Sequence, residues 1–116
     1  MDKKMMEHRF YPGAVEDAVY HWFSETQANS SPKVTLALGE LLMAQDLSQD
    51  LNQFETPVLL IHPDSSPFLP VSMSAEIHSL LPNSQLMVIP HAKHAIACSH
   101  ANEGAAAFLN FIDNHV

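Results

Sequence analysis

Apolar residues follow two rhythms along the 116-residue chain. Val58 to Ile61 and Leu86 to Ile89 are continuous apolar runs without polar alternation. Runs of this kind mark strands covered on both faces, as in a parallel sheet. Between them Met73, Ile77, Leu80 and Leu81 recur at helical spacing, so the stretch from 56 to 94 predicts a strand–helix–strand crossover. Earlier, after the Tyr11-Pro12-Gly13 turn, Val15, Ala18, Val19, Trp22 and Phe23 mark one face of an amphipathic helix. Ala28-Asn29-Ser30-Ser31 breaks it. Ser31 and Pro32 then open a second helix as cap and first residue, with Val34, Leu38, Leu41 and Leu42 as its stripe. Leu47, Leu51 and Phe54 predict a helical turn returning the chain to the sheet, and Ala105, Phe108, Leu109 and Ile112 place a closing helix over 101–112. The first ten residues are polar and Met-rich and show no period.

Each predicted strand runs into a turn with an ionisable group, Asp64 after the first and His94 after the second. In open α/β sheets, chemistry sits just beyond the carboxyl ends of the strands. Thr56-Pro57 leads into the first strand, and a polar turn ending at Pro70 leaves it. Leu81-Pro82-Asn83-Ser84 leads into the second strand, and Pro90-His91-Ala92-Lys93-His94 leaves it. This order resembles the last third of an α/β-hydrolase, from about Phe54 to Ile112.

The resemblance implies an α/β fold class: a partial α/β-hydrolase fold with two helical cap-like elements followed by a parallel strand–helix–strand–helix unit. Residues 1–53 would be the helical cap-like segment and 54–116 the C-terminal β-α-β-α portion, one structural unit overall. His94 would be the catalytic histidine, general base and then acid. The family's Gly-x-x-Asp turn maps onto Pro63-Asp64-Ser65-Ser66, which puts Ser66 at the usual acid position. Asp64, two residues earlier, is the expected orienting acid; the competing reading is a solvated turn Asp capping the Ser65 or Ser66 amide. Phe68, Ser66 and Trp22 are expected to line an apolar pocket for the substrate if the cap folds over the turn. A Gly-x-Ser-x-Gly nucleophile elbow needs small neighbours around a strained Ser. Here Gly13, Gly39 and Gly104 are scattered, and the 116 residues contain no such motif.

Composition narrows the classes. Apolar content of 47% with 16% charged residues excludes a disordered chain. A net charge of −8 leaves no electrostatic footprint for nucleic acid or an anionic membrane. The lone Cys98 excludes an intramolecular disulfide and suits a reducing compartment, and no signal-peptide core precedes His8, so a cytoplasmic location is expected. His91, His94, Cys98 and His100 offer zinc-type ligands, but all on one segment without a second ligand pair, so neither a metal nor another cofactor is expected. What the resemblance implies is hydrolysis of an ester, lactone or similar small acyl substrate, of the kind used in catabolic or secondary metabolism. Without the elbow, this chain would be inactive alone, or part of a larger or split enzyme completed by a complementing chain. The alternative is a non-catalytic dimeric relic that binds a small ligand or a protein.

Overall fold

A computed structural model describes residues 3–115; Met1, Asp2 and Val116, at the ends of the expected segments 1–53 and 54–116, lie outside the described residues. In chain order the elements are α1 (Lys3–Glu7), α2 (Asp17–Ala28), α3 (Pro32–Ala44), a 3-10 turn (Leu51–Gln53), β1 (Val58–Pro63), α4 (Val71–Leu80), β2 (Ser84–Ile89), α5 (Ile96–Ser99) and α6 (Ala101–His115). The expected α/β fold class is present. β1 and β2 pair in parallel, with Val58 opposite Ser84 and Pro63 opposite Ile89, and α4 makes the crossover. Both strands therefore end side by side, and the turns carrying Asp64 and His94 leave the same edge.

Local chemistry sets several boundaries. Ser31 caps α3 by accepting a hydrogen bond from the Val34 amide at 3.4 Å, and Pro32 takes the first position, where its missing N–H costs nothing. β1 continues past the apolar run through His62 and Pro63 because His62 is satisfied on both ring nitrogens. Ser74 Oγ lies 2.7 Å from Nδ1, and the Leu69 carbonyl accepts at 3.0 Å from Nε2. A carbonyl can only accept, so the ring proton sits on Nε2 and the Ser74 hydroxyl donates to Nδ1. His62 is 5% exposed and ties the turn after β1 to the start of α4.

Burial is concentrated at this end of the molecule. Ile89, Ala92, Met6 and Phe10 are all at most 4% exposed. Two of them come from the N-terminal stretch that shows no sequence period. There α1 and the residues after it form a strap across the turn that follows β2. The His8 carbonyl accepts from the His94 amide at 3.4 Å, the Arg9 carbonyl accepts from the Ala95 amide at 3.2 Å, and the Lys93 ammonium donates to the Glu7 carbonyl.

Three expectations about packing require correction. The stripes of α2 and α3 do not lie in a core: neither helix has a buried residue, and Trp22 is 59% and Leu42 70% exposed. On the α2 stripe Phe23 is half-buried, its ring meeting Phe10 edge-on at 5.2 Å. On α6 the expected face closes only in part: Ile112 is half-buried, as are Gly104, Ala107 and Phe111, while Phe108 and Leu109 stand more than half exposed. Phe108 instead lines an open apolar groove of about 330 Å³ with Ile61, Ile89 and Ile96. Two-sided cover of the strands is likewise partial: Val58 to Ile61 are only half-buried and Val88 is 40% exposed.

Candidate functional site

Asp64 joins the two turns. Its amide donates to the Ile89 carbonyl at 3.0 Å, continuing the strand ladder by one residue. Its carboxylate accepts the His91 amide at 2.9 Å on one oxygen, and the Ala92 amide at 3.0 Å and the Ser65 hydroxyl at 2.8 Å on the other. The Ser65 amide donates back to the Ala92 carbonyl at 3.0 Å. This bracket holds His91 in the left-handed region at φ 52°, a conformation that a non-glycine residue adopts only when its surroundings fix it. Stacking of the His91 ring on Tyr11, at 4.2 Å and 4°, supplies a second constraint. The Lys93 ammonium lies over the same tyrosine ring at 4.6 Å.

The Ala92 amide, followed by the His91 amide and the Ser65 hydroxyl, holds the Asp64 carboxyl below the usual carboxylate range. A depressed folded-state pKa stabilises the fold above the unfolded value, and that share is lost as pH falls through the folded value. Asp64→Asn is therefore expected to lower the melting temperature at neutral pH and to flatten its decline below about pH 4, where the wild-type carboxylate protonates. Melting curves between about pH 2.5 and 7 decide this. Parallel curves for the two proteins would show that Asp64 does not carry the bracket.

His94 sits three residues beyond His91, exposed as a residue but with its ring partly shielded. Its Nδ1 meets Ser66 Oγ at 3.3 Å, and Phe68 meets the ring edge-on at 4.8 Å. Ser66 Oγ also accepts the amides of Phe68 and Leu69, each at 3.3 Å. Partial burial, and then the nearby Arg9 guanidinium, hold the His94 imidazole below its ordinary range.

The five sequence-predicted residues thus divide. Ser66, Phe68 and His94 come together, and Ser66, the residue at the family's acid position, is the one that reaches His94. Asp64 lies in the neighbouring turn with its oxygens directed at the His91 and Ala92 amides and the Ser65 hydroxyl. Trp22 stands on the exposed side of α2, and among the described residues its ring meets none of the aromatic groups around His94. The four candidate metal ligands do not converge either. His91 stacks on Tyr11, the His100 ring meets Ser99 Oγ at 2.7 Å, and among the described residues no group of three or more His, Cys, Asp or Glu is placed to hold a metal ion. No helix among the described residues is long and apolar enough to cross a membrane.

Two participants escaped the sequence reading. The Arg9 guanidinium carbon lies 4.7 Å over the Phe68 ring, and His8 meets that ring edge-on at 5.5 Å. His8 and Arg9 reach the site through the strap, which no periodic pattern announces. The only available signal was that Arg9 is the single arginine of the chain.

No protein-family model matches the chain. It is 38% identical over 68 residues to a Synechocystis sp. protein described as a non-heme chloroperoxidase, a match covering 58% of this chain and 25% of the relative. It is 30% identical over 93 residues to the pimeloyl-acyl-carrier-protein methyl ester esterase of Nitrosomonas europaea, covering 78% and 37%. Relatives of this kind carry the names of haloperoxidases, esterases and carbamate hydrolases. Among solved structures, a bromoperoxidase from Bacillus anthracis superposes with a TM-score of 0.85 at 27% identity, over 95% of this chain and 42% of that one. The chain spans about a quarter to two fifths of the length of these proteins. With β1, α4, β2 and α6 in the expected order and the turns of Asp64 and His94 at one sheet edge, the chain carries part of an α/β-hydrolase-superfamily fold.

Proposed function

We propose that this chain holds the histidine-bearing part of a small-acyl site related to ester and lactone hydrolases, and that as it stands the site binds but does not turn over. The observation that carries the reading is the bonding of Ser66. A hydroxyl has one proton and two lone pairs. The Phe68 and Leu69 amides occupy the acceptor side of Ser66 Oγ, so its proton is directed to His94 Nδ1. Neutral His94 then carries its own proton on Nε2 and presents a donor. A general base needs the opposite tautomer, with Nδ1–H held by a carboxylate and a free lone pair on Nε2. The wrong tautomer alone costs an acyl-transfer site roughly 10⁴-fold in rate. The 116 residues also supply no nucleophile elbow.

In this reading Asp64 acts as a positioning residue that brackets the turn leading to His94. Residues 1–53 serve as the cap-like segment and residues 54–116 as the core portion. The natural ligand is a small acyl compound, and turnover, where it occurs, comes from a complementing chain that brings its own nucleophile. The second reading, a dimeric binding relic, draws on the apolar faces of α2 and α3 left exposed. The test is p-nitrophenyl acetate hydrolysis by the purified chain, with His94→Ala as control and light scattering on the same sample. The expected result is background turnover for both proteins. Turnover that His94→Ala removes would defeat the reading and reveal an unrecognised nucleophile; a tight dimer with no turnover would favour the second one.

A further inference from the structure

β1 has a free edge. Among the described residues it pairs with β2 alone, so one side of its backbone has no ladder partner. The Val58 amide donates to the Asn83 carbonyl and the Asp64 amide to the Ile89 carbonyl, so the even-numbered positions face β2. Alternation turns Leu59 and Ile61 outward, each with an amide donor and a carbonyl acceptor. Pro57 and Pro63, the next odd positions on either side, lack an N–H and bound this short free stretch. An apolar groove flanks the edge on each face of the sheet. Ile61 shares one with Phe108, and Val58 and Leu60 share the other, of about 320 Å³, with Leu47 and Phe54. Of the residues lining the two grooves, Asp50 alone carries a formal charge, the depletion expected at the centre of an interface. The chain as a whole exposes too much surface for its size. Its accessible area is 8350 Å², whereas a folded monomer of 12.9 kDa exposes about 6,300 Å². Its radius of gyration is 16.0 Å, against about 13 Å for a compact domain of this length. The surplus of roughly 2,000 Å² exceeds the approximately 800 Å² that each partner gives to a standard interface, and it falls in the range of obligate dimers.

We propose that two copies of this chain pair through their β1 edges, antiparallel about a two-fold axis, in one continuous sheet of strand order β2-β1-β1-β2. The register centres on Leu60. Leu59 of each copy then exchanges both backbone hydrogen bonds with the partner's Ile61, so every outward donor and acceptor between the two prolines is used. Pro57 stands opposite the partner's Pro63, where neither has an amide to leave unpaired. This match of the edge to itself favours a second copy over an unrelated strand. The grooves are self-complementary as well, since each holds a hollow together with a side chain at least half exposed, Phe108 in one and Phe54 in the other. An isologous contact needs both halves on one surface. The pairing deepens the second reading above, on the β1 edge rather than on α2 and α3, and does not depend on the tautomer of His94.

Sedimentation equilibrium on the purified chain reads the association. A dimer is the expected species, and Phe108→Glu, which puts a charge into an apolar groove, is expected to weaken it at least about tenfold while keeping the circular dichroism of the parent. Cross-linking reads the register. Residues directly opposite in a non-hydrogen-bonded antiparallel pair have Cα atoms about 4.5 Å apart, within reach of a disulfide. In a Cys98→Ala background, mild oxidation is therefore expected to join Leu60→Cys chains several-fold faster than Val88→Cys chains, whose cysteine lies on β2, away from the axis. Should Phe108→Glu fail to fold, the cross-linking comparison decides alone. A dimer that Phe108→Glu leaves intact, or equal cross-linking of the two cysteines, would overturn the β1 pairing and keep the second reading on another surface. A folded monomer would overturn both and leave the edge to a complementing chain. Neither measurement reads turnover, so ester hydrolysis by the chain would sink the inactivity proposed above without touching the dimer.

Discussion

Phe10→Ala is expected to destabilise the fold by about 3–5 kcal/mol, the usual cost of emptying an aromatic core position. Phe10 is 4% exposed, and its ring meets Phe23 edge-on at 5.2 Å and Tyr20 at 6.4 Å. Neither α2 nor α3 contains a buried residue, so this aromatic cluster is a principal tie between α2 and the rest of the molecule. The Phe10 amide donates to the Met6 carbonyl at 3.1 Å, which closes the end of α1 and directs His8 and Arg9 toward the site. An emptied Phe10 position therefore loosens the strap as well as the helix. Their partners are the amides of His94 and Ala95. Urea unfolding measures the first effect, and hydrogen exchange at those two amides measures the second. A domain of this size is stable by about 5–15 kcal/mol, so the loss takes a large share of the total. A loss below about 1 kcal/mol, or unchanged protection at His94 and Ala95, would show that the strap is held by something other than Phe10.

The parts of the fold visible in the sequence were those whose signal is local. Val58 to Ile61 and Leu86 to Ile89 read as buried parallel strands because no polar residue interrupts them, and Ser31-Pro32 read as a helix start because both residues act within one turn. α1 was invisible because a five-residue helix is too short to show a period, and Met6 is buried by distant residues rather than by its own pattern. The α6 stripe is legible, but its cover is not: pattern reading assigns large apolar residues to the core, whereas Phe108 shares an open groove with Gly104 and Ala105 and Leu109 stays more than half exposed. His62 lies beyond the apolar run Val58 to Ile61, yet hydrogen bonds on both ring nitrogens keep it within the strand. At the site, the register of the turn already placed Ser66 at the acid position. What the sequence could not carry was direction. Asp64 and Ser66 stand two residues apart, and only the path of the turn decides which one faces His94.

That direction yields the last expected result. Ser66→Asp places a carboxylate where the hydroxyl now meets His94 Nδ1. The Phe68 and Leu69 amides can still donate to it, so the turn keeps its internal bonds. A carboxylate has no proton to offer at neutral pH, so Nδ1 must become the donor and the neutral ring must give up its proton at Nε2. The adjacent negative charge also favours imidazolium, so the pKa of His94 rises from below its ordinary range to above it. The sign for stability follows. A histidine whose folded pKa is raised stabilises the fold fully below its unfolded pKa, and that gain is lost as pH rises through the folded value. In ¹⁵N NMR at high pH, the His94 Nε2 signal should move by the full difference between a protonated and an unprotonated ring nitrogen. Ester turnover should stay at background, because a corrected tautomer still has no nucleophile elbow beside it. If Nε2 stays protonated in Ser66→Asp, Ser66 does not set the tautomer, and the inactivity proposed for this chain would rest on the missing elbow alone.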